Sequence, residues 1–395
     1  MTEKYLAQPD LDFIAQVRTL GGETLKKCYQ CATCSVACPI APENSPFPRK
    51  EMIAASWGLK DKLICSGDIW LCHECGDCSE LCPRGAAPGD VLSAIRSVAI
   101  MEYAKPKALA KAVNNPKMLP FLLGIPAIWF ALLAFITMTA GETMTKIFEF
   151  IPYFDWAHVH EGGHVIAQAD FFSTWFVDLT FVPTATVVVI IFLLGLKNFL
   201  TDIHENAVLE GKTDKTTLNY KELFQALIRV IPVVLKHDKF NECEANKDRA
   251  TPHMMVLYSF IGLFIVTAIG FIALYVFQNH GPYSQLNPTK WLANISGVAL
   301  VIGSGLMIKN RLDKKDDQLT YYKDWFILGV VFTLGLTGML TEMARLAHME
   351  YFSYFLYYLH LIAIFELFAF LPFSKMAHIV YRLTAMTYAD YGNRK

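Results

Sequence analysis

The chain has 395 residues, of which 54% are hydrophobic and only 18% are charged, and its net charge is −1. A soluble domain carries about 25% charged residues, so this composition excludes disorder and argues against a wholly soluble protein. The near-zero net charge gives no field that would draw the chain to nucleic acid. Nine of the ten cysteines precede residue 83, whereas the long apolar runs all follow residue 118, which indicates two modules.

The first module, residues 1–117, contains no apolar run of the roughly 20 residues that a spanning helix needs. Its N-terminal sequence lacks the basic-then-apolar order of a secretory signal, so we expect this module to stay in the cytoplasm. Thiols are kept reduced there, and nine cysteines therefore indicate metal or redox chemistry rather than a disulfide framework.

This module contains two copies of the C-x2-C-x2-C-x3-C-P run that is typical of bacterial iron–sulfur proteins. Three thiolates at three-residue intervals wrap one face of a cubane, and the fourth reaches the other cluster. The spacing therefore predicts two [4Fe–4S] clusters that each draw on both copies. Cluster 1 takes Cys28, Cys31, Cys34 and Cys82, and cluster 2 takes Cys72, Cys75, Cys78 and Cys38.

Zinc is the alternative metal for clustered thiolates, but zinc sites usually use two CxxC pairs rather than two complete runs. Cys65 and Cys243 lie outside both copies. We interpret them as ordinary cysteines, with a replacement ligand or a redox-active thiol as the alternative. The segments around the runs look helical, so we predict a small α-helical ferredoxin-like domain.

The second module, residues 118–395, contains six apolar segments that are each about long enough to span a bilayer as a helix. The segments are 119–140, 177–200, 254–277, 291–308, 325–347 and 352–373. Residues 220–236 differ, because Arg229 and Pro232 lie inside them and the apolar residues favour one side. We predict an amphipathic helix at the membrane interface there. The predicted fold class is all-α throughout.

Lys and Arg in the connecting segments orient the predicted bundle. The side that carries the N-terminus has 22 of them, and the opposite side has only Lys146, Lys290 and Arg345. By the positive-inside rule, the iron–sulfur module and both termini lie in the cytoplasm. We therefore expect a multi-pass protein of the cytoplasmic (inner) membrane.

Histidines in this module are candidate haem ligands. His360 and His378 are 18 residues apart. On a continuous helix they share one face about 27 Å apart, or less if Pro372 bends it. Neutral imidazole is a good axial ligand of haem iron. Two imidazoles fill both axial positions, so the iron carries electrons rather than binding oxygen. His253 opens the third span on the cytoplasmic side, and we pair it with His378 on one b-type haem.

His360 lies nearer the outer side, where it binds a second haem b or a quinone with a partner that the sequence does not identify. The outer-side candidates are His158, His160, His164, His280 and His348. Individually, these five are more often surface or loop residues. We interpret His204 and His237, in the cytoplasmic loop, as solvent-exposed.

The segment from His160 to His164 reads HEGGH, which fits the H-E-x-x-H signature of zinc proteases. Two glycines inside that turn cost about 2 kcal/mol of helix propensity relative to alanine, and no third ligand is clear. We therefore favour a loop or a haem-proximal role over a zinc hydrolase.

Three charged residues are candidates for quinone chemistry. Lys290, at the outer end of the fourth span, is either a hydrogen-bond donor to a quinone carbonyl or a snorkelling interfacial lysine. Glu342 and Glu366 are candidate proton carriers, with structural carboxyls as the alternative.

The cysteine runs, CYQCATCSVACP and IWLCHECGDCSELCPRGAAP, resemble the iron–sulfur C subunit of heterodisulfide reductase. The segments LHLIAIFELFAFLPFSKMAHIVY and SGVALVIGSGLMIKNRL resemble the cytochrome b subunit of respiratory nitrate reductase and the membrane subunit of heterodisulfide reductase. Their fusion resembles the C-subunit family of quinone-interacting membrane-bound oxidoreductases of sulfate reducers. The resemblance implies haem ligands at His253, His360 and His378. In the nitrate reductase family a further histidine, ten residues after the first ligand, pairs with the residue that matches His360, and here Leu263 or a close neighbour stands in its place.

The resemblance implies a membrane electron-transfer subunit that uses b-type haem and two clusters. It implies (mena)quinone as substrate and cytoplasmic flavin- and iron–sulfur-containing subunits as partners, with adenylylsulfate reductase as final acceptor. Alternatives are an equivalent subunit for a heterodisulfide or sulfite-linked reductase, a haem-free membrane anchor, and a transporter or protease. The anchor predicts no b-type absorbance.

Overall fold

The computed structural model describes residues 8–43, 45–147, 166–237, 242, 244, 247–279, 281–313 and 320–392. Every regular element in these residues is helical, and none is a strand. The predicted all-α class is therefore confirmed.

Eight short helices build the N-terminal module. They are α1 (Leu11–Val17), α2 (Thr33–Val36), α3 (Arg49–Ser56), α4 (Lys60–Ile64), α5 (Asp68–Leu71), α6 (Asp77–Glu80), α7 (Pro88–Tyr103) and α8 (Lys107–Val113). Helix α7 starts with proline at its first position, where the missing N–H costs nothing. Of its 16 residues, 13 are buried, so the other elements of the module pack around it.

Nine further helices form the second module. They are α9 (Leu119–Ile147), α10 (Gln168–Phe171), α11 (Thr174–Leu209), α12 (Tyr220–Lys236), α13 (Ala250–Tyr275), α14 (Pro288–Leu312), α15 (Tyr322–Leu346), α16 (Glu350–Ala369) and α17 (His378–Tyr391). Six of them, α9, α11 and α13 to α16, are long and apolar enough to cross a membrane, which confirms the predicted multi-pass architecture.

Helix α12 is amphipathic. Its Ala226 and Val230 are buried, and its Arg229 forms an ion pair with Asp390 on α17 at 2.6 Å. Apolar side chains on its other face are exposed, namely Tyr220, Phe224, Ile228 and Ile231. An exposed apolar face of this kind suits a helix that rests on lipid, and its interfacial position remains a prediction.

A buried aromatic cluster joins the two modules. Trp70 on α5 stacks on Tyr381 of α17 with ring centroids 5.2 Å apart. Phe199 of α11 meets both rings edge-on, and Tyr103 of α7 packs against Phe199 and Tyr381. Because aromatic side chains bury large apolar areas, this cluster fixes the first module against the ends of α11 and α17.

The prediction that one continuous helix carries His360 and His378 is wrong. Helix α16 ends at Ala369, and two short 3-10 turns, Leu371–Phe373 and Lys375–Ala377, separate it from α17. A proline inside a helix loses a hydrogen bond and clashes with the preceding turn, so Pro372 accounts for the break. His378 therefore opens a new helix, and the five-turn spacing does not relate it to His360.

The interpretation of His204 and His237 as solvent-exposed is also wrong, because they are only 6% and 7% exposed. Helix α11 continues past the apolar segment to Leu209. It thereby places His204 beside the hydrophobic core of the first module. Its Nδ1 hydrogen-bonds with the Tyr388 hydroxyl at 2.9 Å. The segment that looked like a cytoplasmic loop therefore contains packed helical residues.

Candidate functional site

The structure gathers the cysteines into two groups. We call Cys28, Cys31, Cys34 and Cys82 the first thiol group and Cys38, Cys72, Cys75 and Cys78 the second thiol group. Burial raises the pKa of the Cys34 thiol to about 11, and Cys28, Cys31 and Cys82 lie close enough to interact with it electrostatically. Cys82 is therefore next to the first copy of the motif rather than beside its own.

The second thiol group is arranged in the same crossed way. Burial raises the pKa of Cys38 to about 12, and its thiol neighbours are Cys72 and Cys75. Burial also raises the pKa of Cys78 well above the ordinary value, and Cys72, Cys75 and Cys38 surround it. Four crowded thiols resist ionisation, and bound cationic iron would offset that cost.

The backbone of both motif copies bends at equivalent positions. Gln30 and Ala32 have φ of 62° and 70° in the first copy, and Glu74 and Gly76 have φ of 52° and 97° in the second. Left-handed residues at such positions let backbone N–H groups turn toward a bound anion, as they do in the concave nests around iron–sulfur clusters. The Glu74 backbone nitrogen lies 3.4 Å from the Cys72 sulfur and donates to it. Hydrogen bonds of this kind tune the reduction potential of iron–sulfur clusters.

The donor chemistry of both groups fits [4Fe–4S] clusters. Thiolates and inward N–H groups are the ligands and hydrogen-bond donors that such clusters use. A single zinc ion would instead hold all its thiolates at about 2.3 Å. In the part of the chain that the structure describes, no three His, Cys, Asp or Glu side chains are placed to hold one ion.

The two groups differ in depth. Cys31 of the first group is exposed, whereas Cys72 and Cys78 of the second are each 8% exposed. Tyr29 and Leu81, which are chain neighbours of first-group cysteines, are 68% and 57% exposed. The first thiol group therefore contains the one exposed cysteine of these eight, and the second contains the two buried ones.

A large apolar cavity of about 1400 Å³ crosses the second module. Ligand pockets usually measure about 300–1,000 Å³, so this one has room for more than a small ligand. Lys290 and Arg311 line it at opposite ends of α14. At 1.5 Å per residue they are about 30 Å apart, which matches the hydrocarbon core of a bilayer.

His253 and His378 line this cavity and lie close enough for their charges to interact. The Nδ1 of His378 donates to the Lys375 carbonyl at 2.7 Å, since a carbonyl only accepts. The lone pair of His378 is therefore on Nε2, as a metal-ligating imidazole requires. The apolar lining and this oriented imidazole fit a b-type haem between the two histidines.

His360 lines the same cavity farther along. The Thr337 hydroxyl donates to the Thr333 carbonyl at 2.6 Å, and its oxygen lies 3.1 Å from His360 Nδ1, which donates to it. A Cβ on Gly338 would lie 2.9 Å from His360 Cε1, so this glycine makes room for the ring. These contacts also leave the His360 lone pair on Nε2.

The structure does not bring an outer-side histidine to His360 in the described ranges. His348 is exposed in the turn after α15. The other four candidates, His158, His160, His164 and His280, lie outside the described residues, as do the HEGGH segment and Cys243. The axial partner of a haem at His360 remains unassigned.

The charged candidates for quinone chemistry have different surroundings. Glu342 lines the cavity near the start of α14 and pairs with Lys290 at 3.0 Å and with Arg345 at 2.7 Å. Lys290 is therefore an ion-pair partner as well as a cavity residue. Glu366 is 2% exposed, and its carboxyl oxygens have no hydrogen-bond partner among the residues that the structure describes.

One partly buried contact, which the sequence did not predict, connects the second thiol group to His378. Glu74 lies between Cys72 and Cys75, and its carboxylate pairs with Lys375 Nζ at 3.0 Å. Although burial opposes ionisation, Lys375 and Arg96 hold the pKa of Glu74 well below its usual range. Because the Lys375 carbonyl accepts from His378, one residue holds both the cysteine loop and the histidine. We call this contact the Glu74–Lys375 junction.

We expect Lys375→Met to lower the apparent melting temperature of the purified full chain. Removing one partner of a fully buried ion pair costs about 3–5 kcal/mol. We expect a smaller cost here, because Lys375 and Glu74 are 22% and 21% exposed and Lys375 also pairs with Asp324 at 2.7 Å. Glu74→Gln combined with Lys375→Met should cost less than the sum of the single changes. Lys62→Met, which breaks a 3.2 Å pair with Glu210 at an exposed lysine, is the matched control with little expected effect. Strict additivity in thermal unfolding would contradict the coupling.

Comparisons with known proteins define the class of the first module. Residues 24–86 match the family of 4Fe–4S dicluster domains. This part of the chain is an iron–sulfur domain of the kind that serves electron transfer.

The same region is related to the C subunits of heterodisulfide reductases. It is 35% identical over 91 residues to the C subunit of the H2:CoB-CoM heterodisulfide,ferredoxin reductase of Methanothermobacter marburgensis, a match that covers 23% of this chain and 49% of that protein. It is 37% identical over 89 residues to a protein of Archaeoglobus profundus that is like the heterodisulfide reductase C subunit, covering 22% and 47%. The chain thus spans about half the length of these curated relatives. No solved structure matches the chain significantly.

Proposed function

We propose that the chain is a membrane electron-transfer subunit that links the menaquinone pool to cytoplasmic redox enzymes. The Glu74–Lys375 junction carries this proposal, because it joins a histidine-lined apolar cavity to the second thiol group. A cavity that is as long as a bilayer is thick suits a membrane-soluble substrate. A thiol group at the protein surface suits a soluble partner.

The residues have distinct proposed roles. The two thiol groups hold one [4Fe–4S] cluster each, and His253 and His378 hold a b-type haem on the cytoplasmic side. His360 binds either a second haem b or the quinone. When bound, these cofactors supply one-electron chemistry that side chains lack. The chain itself fixes the histidine tautomers, excludes water with apolar side chains and holds the cysteine loops.

Burial orders the proposed sites in space. The cavity adjoins the buried second thiol group, and the exposed Cys31 places the first thiol group at the surface. Oxidation of one quinol releases two electrons and two protons. The electrons would travel singly from the cavity to the second group, the first group and the partner. Quinone reduction would use the same order in reverse.

The partners follow from resemblance and relatives. We propose cytoplasmic flavin- and iron–sulfur-containing subunits similar to those of heterodisulfide reductase, with adenylylsulfate reductase as final acceptor. The protein would lie in the cytoplasmic membrane with both termini in the cytoplasm, as the Lys and Arg distribution predicts. The names of the relatives favour a second candidate, in which the same subunit serves a heterodisulfide or sulfite-linked reductase.

Anaerobic addition of a menaquinol analogue to the purified full chain tests the proposal. We expect b-type bands to appear in the reduced spectrum and the broad iron–sulfur absorbance to bleach with them. Absence of b-type absorbance after dithionite would favour the haem-free anchor. Reduction of the b-type bands by quinol without bleaching of the clusters would show that the two modules are not connected.

A further inference from the structure

His237 contacts the proposed haem ligand His253. The Nε2 of His237 lies 2.7 Å from the Nδ1 of His253, and the ring centroids are 5.0 Å apart. Both histidines line the same cavity, and His237 is 7% exposed. The proposed function gives His237 no role, although a buried pair of histidines needs an arrangement of protons that satisfies both rings.

The backbone holds His237 in this place. It is the C-cap residue of α12, with φ of 57° and ψ of 29°, and its N–H donates to the Val234 carbonyl at 3.3 Å. A left-handed C-cap ends a helix, and a residue other than glycine adopts it at some cost. The imidazole is thus fixed to the end of the amphipathic helix rather than to a free loop.

Hydrogen bonding determines which nitrogen carries each proton. The His237 Nδ1 lies 3.4 Å from the Leu235 carbonyl, which can only accept, so this nitrogen donates. A neutral His237 then carries its lone pair on Nε2, and the His253 Nδ1 must donate to it. The lone pair of His253 is thereby placed on Nε2, the same nitrogen that the Lys375 carbonyl selects in His378.

We infer that His237 is a positioning residue for His253 and sets its tautomer and ring plane for haem binding. This inference rests on the proposed haem between His253 and His378. An acceptor on the outer nitrogen orients a ligating imidazole and raises its basicity, and its loss typically costs 10- to 100-fold in metal affinity. The two ligands would then be oriented by different acceptors, an imidazole and a backbone carbonyl.

His237→Leu and His237→Gln in the full chain test this role. The leucine removes the acceptor, so we expect haem affinity, measured by competition with apomyoglobin, to fall about 10- to 100-fold. The haem midpoint potential should rise, since a less basic ligand stabilises ferric iron less. The amide oxygen of glutamine accepts from His253 and should restore both. His204→Leu removes a buried histidine outside the cavity and should change neither property.

The low-spin ferric electron paramagnetic resonance spectrum provides the decisive comparison. A shift in g values with His237→Leu, reversed by glutamine, supports the inference. Identical spectra, potentials and haem affinities in wild type and His237→Leu overturn it while leaving the proposed function intact. Wild type without haem overturns both proposals.

Discussion

Cys82→Ala is expected to remove the cluster of the first thiol group, although Cys82 belongs to the second copy of the motif. The reason is that Cys82 is close enough to Cys34 to interact with it electrostatically. The electron paramagnetic resonance spectrum of the reduced Cys82→Ala variant should match that of Cys31→Ala and differ from that of Cys75→Ala. Because each cluster holds four irons, cluster iron should fall by about half. Alanine is chosen because it offers no oxygen that could replace the thiolate.

The reciprocal change gives the second half of this test. Cys38→Ala should match Cys75→Ala, since Cys38 lies beside Cys72 and Cys75. Cys65→Ala is the control, because Cys65 lies outside both motif copies and its charged neighbours are Asp202, Asp61 and Glu205 rather than other cysteines. Loss of the same cluster in Cys38→Ala and Cys31→Ala would mean that each motif copy builds its own cluster. That result would contradict the crossed arrangement.

The parts of the fold that depend on local sequence could be predicted. The cysteine spacing predicts the wrapped loops because three-residue intervals constrain a short backbone, and both copies do adopt left-handed conformations at equivalent positions. The six spanning helices were predictable because about 20 apolar residues in a row have few other stable arrangements. Both the cysteine spacing and the apolar runs involve residues that are close together in the sequence.

Contacts between distant segments could not be predicted in this way. Glu74 and Lys375 are 301 residues apart, and neither belongs to a periodic pattern that would reveal the pairing. His237 reaches His253 only because α12 ends in a left-handed cap and the chain returns to α13. The break at Pro372 was foreseeable as a bend. Its form, a 3-10 turn that contains Pro372 and a second one after it, depends on distant segments, such as the end of α8, where Asn114 donates to the Phe373 carbonyl at 3.0 Å.

His253→Ala and His378→Ala are expected to remove the same single haem from the purified chain, with no further loss in the double variant. Both histidines line the same cavity and interact electrostatically. Bis-histidine haem that loses one ligand is no longer low-spin and six-coordinate, so the loss is visible in the absorption spectrum even where some haem is retained. Pyridine haemochrome quantitation against cluster iron gives the stoichiometry. Loss of two different haems would show that the pairing is wrong.

His360→Ala should leave that haem in place and slow its reduction by menaquinol about 10- to 100-fold, with reduction by dithionite unchanged. His360 lies on α16, beyond the helix break that separates it from His378, and its ring is held by Thr337 and Gly338 rather than by the Glu74–Lys375 junction. Whether His360 binds a second haem or the quinone, the substitution removes a site through which electrons from quinol would pass. His348→Ala, an exposed histidine after α15, is the matched control. If His360→Ala removed the haem that His378→Ala removes, the cavity would hold one haem with a different ligand pair, and the assignment of His253 would have to be abandoned.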